Sequence, residues 1–139
     1  MNNLTTLKRW GLILVLAFQT GYGWGAASEE DLIDQFKDKV VYIQHEKASG
    51  TGFLISADGY IFTNSHVVGA GTPKDPRKTA ERITVVLDDG GKYSAKVIGY
   101  NPTWQPDCAL IKIEAGKPLP YFKLGDSSLL RTGQKVFAI

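Results

Sequence analysis

From Val40 onward the chain changes to short runs rich in β-branched and aromatic residues, with a period of two and broken by glycine-bearing turns. That period places alternate side chains on opposite faces of an extended strand, so it excludes a helical bundle. Strands are predicted over Val40–Gln44, Gly52–Ser56, Tyr60–Thr63, Ile83–Leu87, Lys92–Tyr100 and Asp107–Ile113. Ala57-Asp58-Gly59 joins the second to the third, and Asp-Gly is a strong hairpin signal. Asp88-Asp89-Gly90-Gly91 turns the fourth into the fifth. In the last strand Ala109, Ile111 and Ile113 share one face and Lys112 takes the other. About six short antiparallel strands within about 75 residues suit an all-β, closed Greek-key barrel. The 139 residues, 43% hydrophobic and 22% charged, provide one domain with a packed core and argue against disorder.

The segments around these strands read differently. Met1–Trp10 holds Lys8 and Arg9 and no acid, Gly11–Phe18 is wholly apolar, and small residues end the stretch at Gly25-Ala26-Ala27. That order predicts a secretory signal peptide over residues 1–27, cleaved after Ala27. The rival reading is an uncleaved anchor, but eight apolar residues are too few for a stable membrane span, which needs about 20. Ser28–Lys39 is predicted to be a short N-terminal helix with Ser28 as its cap and acids in the first turn. Leu32, Ile33 and Phe36 would form its apolar face, plugging one end of the domain. Gly71–Arg82 is polar, contains two prolines and reads as an exposed loop. Ala115–Ser128 reads as a connector leaving the barrel, and Lys135–Ile139 as the start of another strand. Ending on an unpaired apolar strand is the expectation for a piece of a longer protein.

Charge and cysteine usage narrow the function. Without Lys8 and Arg9, the 16 basic residues fall to 14 and balance the 14 acids, all of which follow Ala27. A neutral chain with no basic cluster lacks the electrostatic footprint of a nucleic-acid binder. Cys108 is the single cysteine, so no internal disulfide forms. With no Cys-x-x-Cys and no His-x-x-x-His, no metal site or other cofactor is expected.

Three segments carry the chemistry. The first is Ser49-Gly50-Thr51-Gly52-Phe53-Leu54-Ile55-Ser56, followed by Asp58-Gly59-Tyr60-Ile61-Phe62-Thr63-Asn64-Ser65-His66-Val67-Val68. The second is Pro106-Asp107-Cys108-Ala109-Leu110-Ile111-Lys112-Ile113. The third is Leu124-Gly125-Asp126-Ser127-Ser128 with Gly133-Gln134-Lys135-Val136-Phe137-Ala138-Ile139. Together and in this order they resemble the trypsin-like serine proteases of the HtrA (DegP/DegQ) type. The likeness covers Val40 to Ile139.

The resemblance implies a chymotrypsin-like fold of two barrels. Residues 28–125 would be the N-terminal barrel, and residues 126–139 the linker and first strand of a truncated second barrel. It implies that His66 is a general base and Asp107 its orienting carboxylate. A serine hydroxyl is a poor nucleophile until an imidazole takes its proton, and a carboxylate keeps that imidazole in the right tautomer. Read without the motif, His66 is a polar turn residue and Asp107 a cap after Pro106. His45 matches no motif and is expected on the surface of its strand. Cys108 is expected to be a small buried hydrophobe, with a redox role beside Asp107 as the rival reading. Ser49 precedes His66, whereas the nucleophile in this fold follows the His and the Asp, so Ser49 is set aside. The chain holds no Gly-x-Ser-Gly-Gly. The nucleophile is therefore expected beyond Ile139, and the 139-residue chain is expected to be inactive.

Two departures from the family pattern stand out. Gly71–Arg82 is longer than the common turn, and Gln105-Pro106 precede Asp107 where Thr or Asn is frequent. The overall expectation is an exported, periplasmic or secreted, cofactor-free serine endopeptidase acting on unfolded or partly folded proteins. Assembly into a homotrimer through Ser28–Lys39 is implied by the resemblance alone. The alternative is a non-catalytic, protease-like binding or chaperone module.

Overall fold

The computed structural model describes residues 29–46, 48–69, 79–103 and 105–136. Six strands run through them: β1 (Val40–His45), β2 (Ser49–Leu54), β3 (Tyr60–Thr63), β4 (Ile83–Val86), β5 (Lys92–Tyr100) and β6 (Ala109–Ile113). They close in the order β1-β2-β3-β6-β5-β4, with β4 returning to pair with β1. Every pair is antiparallel. The barrel expected from the alternation is present, and β6 fills the place between β3 and β5. This brings the approach to β6 beside the end of β3.

Period two sorts the side chains as anticipated. Leu54 faces Ile61, and Ile61 faces Ile111. These three, with Ile43, Val85 and Ile113, are fully buried in the barrel interior. Burying one such side chain contributes about 1.5–3 kcal/mol relative to exposure. The hairpin after β2 is held by Gly59, whose N–H donates to the Ser56 carbonyl at 3.2 Å. Gly59 sits at φ +96°, and a Cβ there would lie 2.5 Å from the Ile113 carbonyl oxygen. Both facts demand glycine. The Ser56 hydroxyl accepts the Tyr60 N–H, which draws Ser56 out of β2 and into the turn. β5 has its predicted bounds but carries a bulge between Val97 and Gly99 that the alternation did not announce.

The helix departs from expectation. Regular α1 covers Glu29–Phe36 and tightens to a 3-10 turn over Lys37–Lys39. Phe36 is buried and Leu32 packs beside it, but Ile33 is 60% exposed. Leu32 and Phe36 lie one helical turn apart on one stripe, and Ile33 falls outside it. The stripe does not plug a barrel end. Phe36 joins Phe53 and Phe122 in a separate cluster, with ring centroids 5.5 Å apart for Phe36–Phe122 and 6.1 Å for Phe53–Phe122. Phe53 pairs with Phe62 and points opposite to the interior pair Leu54–Ile61, so this cluster lies on the outer wall.

The connector also differs. Its first half stays on the barrel: the Leu119 N–H donates to the Ala57 carbonyl at 2.9 Å and the Phe122 N–H to that of Leu54 at 2.8 Å. Beyond Phe122 it makes one 3-10 turn at Ser127–Leu129, and Leu124 is 72% exposed. Lys135 and Val136 are not in a strand, and the rest of that predicted strand lies outside the described residues. So do the predicted signal peptide, the Ser28 cap and residues 71–78 of the predicted loop. Among the described residues no helix is long and apolar enough to cross a membrane.

Candidate active site

β3 ends at Thr63, whose buried hydroxyl donates to the Thr51 carbonyl at 2.8 Å and ties the strand end to β2. A single 3-10 turn follows over His66–Val68 and closes at Gly69, φ +65°. Val67 and Val68 are both buried and pull this turn onto the barrel. Gly50 makes room for it: a Cβ there would come 2.5 Å from a Val67 methyl. His66 is thereby set on a short, apolar-anchored turn at the barrel end.

Asp107 stands two residues before β6. Because β6 pairs with β3, the strand order carries Asp107 to His66 across 41 residues of sequence. The Asp107 carboxylate engages the histidine twice. Oδ2 lies 2.6 Å from the ring Nδ1, and Oδ1 accepts the His66 main-chain N–H at 3.2 Å. An ionised carboxylate only accepts, so in the neutral ring the hydrogen belongs on Nδ1 and the lone pair on Nε2. The side chains are 45% exposed for His66 and 30% for Asp107, so the pair meets solvent at the surface. A ring held in this way can take a proton at Nε2 while the carboxylate stabilises the resulting cation.

The two residues singled out in the sequence are thus brought together. Others fall elsewhere. Ser49 opens β2 opposite Gln44. His45 is half-buried rather than on the surface; a Cβ at Gly69 would come within 3.4 Å of its Cε1, so the ring lies against the turn that closes after Val68. Cys108 is half-buried, not a core residue, because the interior begins only with Ala109. Among the described residues no group of three or more His, Cys, Asp or Glu side chains is arranged to hold a metal ion.

Sequence reasoning missed three polar residues around the pair. The Asn64 amide donates to the Asp107 carbonyl at 2.8 Å. The Ser65 hydroxyl donates to the Cys108 carbonyl at 2.7 Å and accepts the Asn101 N–H at 3.1 Å. The available signal was the polar run Thr63-Asn64-Ser65 between an apolar strand and the histidine. Buried polar side chains are retained where they find partners.

The trypsin-like peptidase domain family matches residues 50–139. The chain is 43% identical over 96 residues to a protein of Chlamydia trachomatis serovar D named "Probable periplasmic serine endoprotease DegP-like". That stretch is 69% of this chain and 17% of the relative. Proteins with the same name from Pseudomonas putida (strain GB-1) and Pseudomonas fluorescens are 46% and 48% identical over 90 residues, 65% of this chain and 16% of each relative. The chain therefore spans about a sixth of the length of these curated relatives.

Proposed function

This chain belongs to the trypsin-like peptidase domain family, and from that premise we propose that it carries the His–Asp half of a serine endopeptidase active site. His66 is the general base and Asp107 the carboxylate that orients it. The observation that carries this reading is the two-point grip of one carboxylate on one histidine, 2.6 Å to Nδ1 and 3.2 Å to the main-chain nitrogen. The nucleophilic serine lies in sequence outside these 139 residues, which contain no Gly-x-Ser-Gly-Gly.

In the assembled site, Nε2 of His66 removes the serine hydroxyl proton as the oxygen attacks a peptide carbonyl. The imidazolium is stabilised by Asp107 and returns the proton to the leaving amine. Water then hydrolyses the acyl-enzyme by the same proton path. Residues 28–125 form the first barrel of this unit and 126–139 lead toward a second. The names of the relatives support a periplasmic location, reached through a signal peptide over residues 1–27. Unfolded or partly folded proteins are the substrates. A homotrimer assembled through residues 28–39 is part of the same reading.

The test uses the protein extended to include the downstream serine motif, with an unfolded protein as substrate. His66→Ala should abolish turnover. Asp107→Asn, which supplies a donor where an acceptor is needed, should lower kcat on the order of 10⁴-fold. Full activity in Asp107→Asn would exclude the proposed role. Turnover by the 139-residue chain itself, lost in His66→Ala, would overturn the placement of the nucleophile. If the extended protein binds unfolded chains but never cleaves them, the non-catalytic binding module becomes the better reading.

A further inference from the structure

Three consecutive residues after β3 meet two consecutive residues before β6, rung by rung. The Asn64 amide donates to the Asp107 carbonyl and the Ser65 hydroxyl to the Cys108 carbonyl. The His66 ring and main-chain nitrogens meet the two oxygens of the Asp107 carboxylate. The His66 rungs are the exposed ones. The Ser65 rung is the inner one, and Ser65 is 0% exposed.

A buried hydroxyl costs stability unless its hydrogen-bonding capacity is used. At Ser65 it is used in both directions. The oxygen accepts the Asn101 N–H at 3.1 Å while its hydrogen goes to the Cys108 carbonyl at 2.7 Å. The same Asn101 N–H reaches the Cys108 carbonyl at 3.0 Å. The hydroxyl therefore closes a ring of three polar groups that joins the end of β5, the approach to β6 and the turn carrying His66. An alanine would fill nearly the same space and leave the turn and the approach without this tie.

We propose that Ser65 is a positioning residue for the His66–Asp107 pair: its hydroxyl fixes where the Asp107–Cys108 main chain lies, and so where the carboxylate meets the imidazole. The value of this for catalysis rests on the peptidase reading above; its effect on the His66 ring does not. A merely structural role would speed exchange of the Nδ1–H and of the β3 and β6 amides alike and leave the ring tautomer unchanged.

The experiment is ¹H–¹⁵N NMR of the full chain near neutral pH, following the His66 ring. In the wild type, the Nδ1–H should give a resonance protected from solvent exchange, with ring nitrogen shifts of a single tautomer. Ser65→Ala should keep the strand amide spectrum. Its Nδ1–H should exchange about five- to tenfold faster, the change expected when one hydrogen bond of ordinary net strength is lost, while the β3 and β6 amides keep their wild-type rates, and its ring shifts should move toward a tautomer mixture. Ser65→Cys keeps the shape but is a weak donor, and it too should exchange faster than wild type. If Ser65→Ala fails to fold, Ser65→Cys decides alone. Wild-type exchange and shifts in a folded variant would overturn the inference while leaving the peptidase reading intact. If the wild type shows no protected Nδ1–H and Asp107→Asn leaves the ring unchanged, the His–Asp reading fails, and this inference fails with it.

Discussion

The barrel interior and the connector that follows it both carry large apolar side chains, and these are covered in different ways. Inside the barrel, Ile43, Leu54, Ile61, Ile111 and Ile113 are covered on all sides by one another and by the strands that carry them. Closure leaves no edge and no open face, so the interior is finished by this chain's own residues. The connector is finished only as far as Phe122. Leu119 enters the barrel cluster, Phe122 enters the outer phenylalanine cluster, and each donates a main-chain hydrogen bond to the barrel. Beyond them Leu124, Leu129 and Val136 are exposed. Apolar content alone therefore does not make core; a side chain is buried where strand pairing or a main-chain bond brings it against a wall. The His66–Asp107 pair belongs to the finished region, because both of its segments hang on β3 and β6.

The contrast can be broken by truncating one apolar side chain in each region. Ile111 sits between Ile61 and Val97 in the centre of the closed sheet. Ile111→Ala should cost about 3–5 kcal/mol, the upper part of the range for Ile→Ala, since a closed barrel collapses poorly into a cavity. Denaturant unfolding at fixed pH measures it. Phe122 packs on Phe36 and Phe53 at the outer wall, where the connector can shift to close a gap. Phe122→Ala should cost about 2 kcal/mol, below the usual range for a phenylalanine deep in a core. Its effect should fall on proton exchange of the Leu119 and Phe122 amides before that of β3 or β6. Equal costs for the two variants, with uniform exchange, would show that barrel and connector unfold as one unit.

The same contrast explains how much was legible in the sequence. Strand period and turn chemistry are local, so β3, β5 and the burial of Ala109, Ile111 and Ile113 could be read directly. The bulge at Val97–Gly99 could not, because Gly99 only hinted at a break in alternation. Ile33 was misplaced because a helix of eight residues buries only the stripe its one contact requires. His66 and Asp107 were legible as a pair through the family motifs, since nothing local joins residues 41 apart. Asn101 bears no periodic or motif signal of its own, and Ser65 only its place in a short polar run before His66. Their hydrogen bond exists only once strand order places the end of β5 beside the turn after β3.

The smallest expected effect tests the polar link between the two regions. Asp89, in the turn between β4 and β5, accepts the Gly91 N–H at 2.8 Å and the Lys117 ammonium at 3.0 Å, and Lys117 belongs to the connector. The Gly91 N–H chiefly, and Lys117 after it, hold the Asp89 carboxyl below the ordinary range. A group whose folded pKa is depressed stabilises the fold above its unfolded pKa, about 3.9 for Asp. That contribution is lost as pH falls through the lower folded value. Lys117 is raised above the ordinary range, chiefly by its hydrogen bond to Asp89. Its contribution is present below its unfolded pKa, about 10.4, and is lost as pH rises through the higher folded value. Both groups are solvent-exposed, so the effect is small and screened by salt. The thermal midpoint of Asp89→Asn should lie slightly below wild type at neutral pH, and the two should converge below about pH 4. Lys117→Met should remove only the lesser part of this acid dependence, because the Gly91 bond stays within the turn. If Lys117→Met removed all of it, Lys117 and not the Gly91 N–H would be the group that holds the Asp89 carboxyl ionised, and the acid dependence would report the link between turn and connector alone.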